Sequence, residues 1–118
     1  MNNEEMNVFK FFVAVAVAST EYERPRIGDI TGESACRYLR EVLGMVFANT
    51  GIEFGVQAMP YPPSCKIPLI ITLSGAGDCL FWFHPSASAG TVAAELEGAL
   101  HDIVQNAFSV SVERGVPA

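Results

Sequence analysis

The longest regular pattern in the chain is Phe9-Lys10-Phe11-Phe12-Val13-Ala14-Val15-Ala16-Val17-Ala18, which alternates larger and smaller side chains. With a period of two it predicts a strand. Phe9, Phe11, Val13, Val15 and Val17 then share one face, and Lys10, Phe12, Ala14, Ala16 and Ala18 the other. The bulky row would fill a core, and the small row would let something pack close.

Residues 19–30 are polar and turn-rich, with Pro25 and Gly28. A helix is predicted next. Thr31 or Ser34 can cap it, Glu33 suits its first turn, and Ala35, Leu39, Val42, Leu43, Val46 and Phe47 recur at helical spacing. Cys36 and Tyr38 flank that stripe, and Asn49-Thr50-Gly51 ends the helix. A half-buried strand follows, with Ile52, Phe54, Val56 and Ala58 inward and Glu53, Gly55, Gln57 and Met59 outward. Pro60-Tyr61-Pro62-Pro63-Ser64 cannot join a sheet and reads as a stiff loop.

Residues 67–73 and 79–84 predict two strands joined at Ser74-Gly75-Ala76-Gly77-Asp78 as a hairpin. In the second of these, Cys79, Phe81 and Phe83 oppose Leu80, Trp82 and His84, so both faces are largely apolar and the strand is expected to be central or covered twice. Ser88 or Thr91 can cap a last helix, with an apolar stripe of Val92, Leu96, Ala99, Leu100, Ile103, Val104 and Ala107. Val110-Ser111-Val112 is expected to add a short edge strand.

The expected fold class is therefore α+β, in the order β-α-β-β-β-α with room for a final short β. It is a two-layer sandwich: a mainly antiparallel four- to five-stranded sheet with two helices on one face. One domain is expected over 1–118, with loose tails at 1–6 and 114–118. The Ala14–Ala16–Ala18 face would be left open, a natural surface for a dimer or a partner.

Composition narrows the function classes. Half the residues are hydrophobic and 17% are charged, which excludes a disordered chain. So little charge on a small domain points to surface covered by another copy or by a partner, and a homo-oligomer is expected, a dimer first. The net charge is −6 with only seven Lys and Arg, which disfavours non-specific nucleic-acid binding. No stretch has the length of a membrane span, and Glu4 and Glu5 precede the apolar run where a secretory leader would be basic. Cys36, Cys65 and Cys79 are odd in number and form no CxxC, so reduced thiols in the cytoplasm are expected. No metal or cofactor is implied: His84 and His101 lack ligand spacing, and Gly75-Ala76-Gly77 precedes a strand rather than a helix.

No family resemblance emerges, and the candidate chemistry is modest. His84 at a strand end, near Ser86 and Ser88, lacks a predictable carboxylate. Cys36 beside Arg37 could be activated, but a buried inert thiol is the simpler reading. Arg24, Arg26, Arg37 and Arg40 are four of the seven basic residues and could hold a small anionic, nucleotide-like ligand near a helix start. Glu21, Glu23, Asp29, Glu33 and Glu41 share that window and could pair with them instead. The preferred expectation is a non-enzymatic protein-binding module: a small inhibitor, an immunity or anti-defence protein, or an adaptor. Tyr61, Pro62, Trp82, Ala14 and Ala16 are its expected contacts.

Overall fold

The computed structural model describes residues 2–26, 28, 30–60 and 66–115, with side chains through Phe108. The chain is α+β; among the described residues it has three α-helices and a three-stranded antiparallel sheet. Helix α1 spans Asn3–Ser19, and a 3-10 turn follows at Glu21–Glu23. Helix α2 spans Gly32–Val46. Strands β1 (Phe54–Ala58), β2 (Ile67–Leu73) and β3 (Gly77–Phe83) come next, and α3 (Ala89–Gly115) closes the chain.

The first element is the main correction, for residues 9–18 are helical. Asn2 accepts from the Glu5 amide at 2.8 Å while its own amide reaches the Glu5 carboxylate, a reciprocal cap that starts the helix. Glu4 and Glu5 then lie in the first turn, where the helix dipole favours acids. The buried positions Met6, Phe9, Val13, Ala16 and Val17 follow three- and four-residue steps, which only a helix brings to one side. Thr20 ends the helix, and its buried hydroxyl donates to the Ala16 carbonyl at 2.8 Å. Asn3 to Met6 therefore belong to a helix rather than a loose tail.

Helix α2 is built as expected. Thr31 and Ser34 cap each other, each side chain accepting from the other's backbone amide. Asn49 and Gly51 turn the chain out of the helix with φ of 62° and 74°. Gly32 lets α2 approach the sheet, since a Cβ there would stand 2.8 Å from the Ala58 Cβ.

The sheet order is β1-β2-β3, so β2 is central and β3 is an edge strand. Register pairs Val56 with Ile71, Leu69 with Phe81, and Ile67 with Phe83, and these six, with Leu73, form the buried face. Ser74 and Gly75 turn the hairpin; the Ala76 amide donates to the Leu73 carbonyl, and Gly75 takes the φ of 79° that this tight turn requires. The sheet has three strands, not four or five, because two expected strands are helical. One is α1. The other, at 110–112, continues α3, and so does residue 114 of the expected tail.

Helix α2 lies over β1 and β2, while α3 lies over β3 and β2. Helix α1 packs on α2 and α3, on the side away from the strands. Three helices thus replace the expected two, and they make two tiers rather than one layer. Phe47 links the tiers, with ring centroids 6.5 Å from Phe9 and 6.0 Å from Phe54. Buried residues from all three helices and all three strands form one continuous core.

Candidate functional site

Alternation in β2 and β3 leaves one sheet face without a helix. Pro68, Ile70 and Thr72 stand on it beside Trp82, Leu80 and Asp78, and Gln57 and Gly55 extend it across β1. Trp82 is 47% and Leu80 44% exposed, while Phe81 and Phe83 between them are buried against the helices. No described helix lies over this face, since all three lie on the other side, yet Pro68 is buried and Ile70 half-buried on it, so its exposed apolar surface is concentrated at Leu80 and Trp82. Around the β3 edge, Lys66, Leu80, Phe81, Trp82, Glu95 and Ala99 line a cleft of about 550 Å³. Trp82 is thus accessible at the sheet edge.

The other expected contacts fare differently. Ala14 is exposed, but on α1 rather than on a sheet. Ala16 is 1% exposed, because helical spacing turns it into the core, so it offers no surface to a partner. Tyr61 and Pro62 lie outside the described residues, as does Cys65.

The four arginines do not converge. Arg24 forms an ion pair with Glu21 at 2.8 Å and donates to the Pro85 and Ala87 carbonyls, tying the 3-10 turn to the loop after β3. Arg40 donates to the Val56 carbonyl at 3.1 Å, fastening α2 to β1. Arg37 is paired loosely with Glu33 at 3.8 Å on the exposed side of α2. Arg26 is exposed. Arg37 also lines a cleft with Glu23, Ser34, Tyr38 and Glu41, where two carboxylates oppose an anion. The acids of the window thus engage two of these arginines, and backbone carbonyls engage two.

The described histidines and cysteines have the following partners. His84 Nδ1 lies 2.9 Å from the Ser86 hydroxyl, two residues on, and among the described residues no carboxylate pairs with that ring. His101 sits along α3 between Glu97 at 3.8 Å and Gln105 at 2.9 Å. Burial pushes the Cys36 thiol above its ordinary range, opposed by the nearby Arg40 charge and a backbone hydrogen bond at Ala58. Its neighbour in sequence, Arg37, does not activate it. Burial, reinforced by Asp78, pushes Cys79 up to about 11. Both thiols are free, and at neutral pH both are protonated. Among the described residues no group of three His, Cys, Asp or Glu is placed to hold a metal, and no helix is long and apolar enough to cross a membrane.

A second apolar surface escaped the sequence reading. Val8, Phe11, Phe12 and Val15 are exposed along the outer flank of α1. Their signal is the spacing of three, four and seven residues, visible once the segment is read as a helix. Beside them Glu4, Glu5, Val8, Phe9, Phe12, Met45, Phe47 and Phe108 help line a mostly apolar cleft of about 690 Å³ between the three helices. No protein-family model matches the chain, and neither does any curated protein or solved structure.

Proposed function

We propose that the chain is a non-enzymatic protein-binding module of the inhibitor, immunity, anti-defence or adaptor kind, docking through Trp82 and Leu80 on the helix-free face of its sheet. Its partner would be a protein presenting an apolar patch rimmed by basic side chains. One observation carries the reading: Trp82 and Leu80 stand out from a sheet face that no helix covers. Tryptophan is enriched among residues that dominate binding energy, and strands hold it in place, so little conformational freedom is lost on docking. The partner's charge follows from this chain's own. The net charge is −6, and Arg24, Arg37 and Arg40 are engaged within the fold. A negative field steers basic surfaces on approach.

Self-association and a reducing, cytoplasmic setting belong to the same reading, supported by the scarcity of charge and the free thiols. The alternative, an oligomer sequestering a small anionic ligand through Arg24, Arg26, Arg37 and Arg40, draws no support from the dispersal of those side chains.

The test is affinity capture from host lysate, followed by titration of the isolated partner. Trp82→Ala is expected to weaken binding by about 30-fold or more, the scale of a dominant contact. Affinity should also fall as salt rises. Circular dichroism controls for folding. A partner held equally well by Trp82→Ala and Leu80→Lys would overturn the reading.

A further inference from the structure

We infer that the outer flank of α1 is the interface between two copies of this chain, which pair through their first helices in antiparallel orientation. This deepens the self-association part of the reading above and is independent of docking at Trp82.

A helix resting on others should be apolar on one side. Helix α1 is apolar on two. Met6, Phe9, Val13, Ala16 and Val17 face α2 and α3. Val8 and Phe12 are each about half exposed, Phe11 is 65% and Val15 41% exposed, and together they form a second stripe about 100° wide pointing outward. Such a stripe on an otherwise folded molecule calls for a cover.

The order of residues selects the cover. The stripe reads the same from either end about the midpoint between Phe11 and Phe12. A two-fold axis at that midpoint sets Phe11 against Phe12 of the partner subunit, and Val8 against Val15 of the partner subunit. Every contact then occurs twice, as a two-fold interface requires. Helices crossing this way bring aromatic rings together at the centre and branched side chains to both ends.

Charge selects the orientation. Glu4 and Glu5 lie at one end of the helix, and the other end of the stripe carries Ser19. A parallel pair would stack acid on acid. The antiparallel pair sets Glu4 against Ser19 of the partner subunit, a hydroxyl that can donate to it. It also holds the two Glu4 carboxylates about 22 Å apart by helical rise, well beyond the ~8 Å over which charges interact in physiological salt.

Shape and area are consistent with a reversible dimer. The cleft beside Val8 and Phe12 gives side chains from the second copy a recess to fill. Exposed Met45 on α2 widens the apolar surface at its rim. Four stripe residues and this margin fall below the ~800 Å² per partner of a standard stable interface. The dimer should therefore dissociate on dilution rather than persist as an obligate unit.

The experiment is sedimentation velocity of the whole chain from about 1 µM to about 1 mM, a span bracketing modest affinities. The wild type is expected to pass from monomer to dimer. Phe11→Lys should remain monomeric at every concentration with an unchanged circular dichroism spectrum. Adding Phe12→Glu to it should restore the dimer, since in the antiparallel pair each introduced lysine meets an introduced glutamate. Trp82→Ala should dimerise like the wild type, which separates this inference from the docking reading. A wild-type chain that stays monomeric throughout overturns the proposal. So does a dimer that survives Phe11→Lys, or one that the second substitution fails to restore.

Discussion

Helices α1 and α2 have nearly the same length, 17 and 15 residues, yet opposite characters. Helix α2 is sharply divided: its buried side meets the sheet and its other side carries Arg37, Arg40 and Glu41. Helix α1 has almost no polar side, because Val8, Phe11, Phe12 and Val15 occupy the flank where charges would normally sit. The difference follows position in the fold. Helix α2 packs on the strands and on α1 and turns only its remaining side to water, whereas α1 sits on other helices and leaves its far side apolar. A helix with two apolar sides has two jobs, and only one of them is folding.

The comparison breaks if α1 is merely draped over a finished domain. Leu43 in α2 and Val13 in α1 are both completely buried. Leu43→Ala is expected to destabilise by about 2–5 kcal/mol, the range for emptying a well-packed aliphatic site. Val13→Ala should destabilise less but still by more than about 1 kcal/mol. Urea unfolding monitored by circular dichroism should show one transition in both variants. A separate early transition in Val13→Ala would mean that α1 melts by itself.

High pH sharpens the contrast, because the lower tier and the sheet bury thiols and α1 buries no titratable group. Cys79 is pushed up to about 11 from 9.0. The folded state therefore holds its proton more tightly than the unfolded state does. That contribution is complete below pH 9 and is lost as pH rises towards about 11. The loss should be on the order of 2 kcal/mol, and Cys79→Ala should remove that part of the alkaline slope. Urea midpoints taken from pH 7 to pH 11 for both proteins check it; identical slopes would show that the thiol is not held protonated by folding.

The smallest expected effects are at the caps. Asn2→Ala and Thr31→Ala each remove a side chain that holds a helix amide, and each should cost about 1 kcal/mol. Hydrogen exchange should place the Asn2→Ala loss in the first turn of α1. Equal protection there in variant and wild type would mean that packing of Met6 and Phe9, not the cap, fixes the helix start.

The same two helices show how far the fold could be read from the sequence. Helix α2 was legible because its cap, its stripe and its terminating Asn49 and Gly51 all agree. The hairpin was legible for the same reason: apolar runs meet at Ser74-Gly75-Ala76-Gly77, and β2 begins and ends where the pattern placed it. Helix α1 was misread because alternating Val and Ala satisfy a period of two while Met6, Phe9, Val13 and Ala16 also satisfy a helical one. The signal that decides between them lies outside the run, in Asn2 and Glu5. Val110-Ser111-Val112 misled differently: β-branched propensity amounts to a few tenths of a kcal/mol per residue and yields readily to a helix already under way. Of the expected contacts, Trp82 does reach the surface, on a strand that was expected to be covered. Ala16 was lost with the strand that presented it, and Phe11 and Phe12 were missed because alternation put them on opposite faces.

The position of Trp82 has an optical consequence. It is the chain's single tryptophan, and it stands half in water on the edge strand β3, sharing a cleft with Glu95 and Ala99 of α3. Its fluorescence is a built-in gauge of that one surface. Emission shifts to shorter wavelength when another molecule settles over β3, and stays unmoved by a helix-to-helix encounter on the far side.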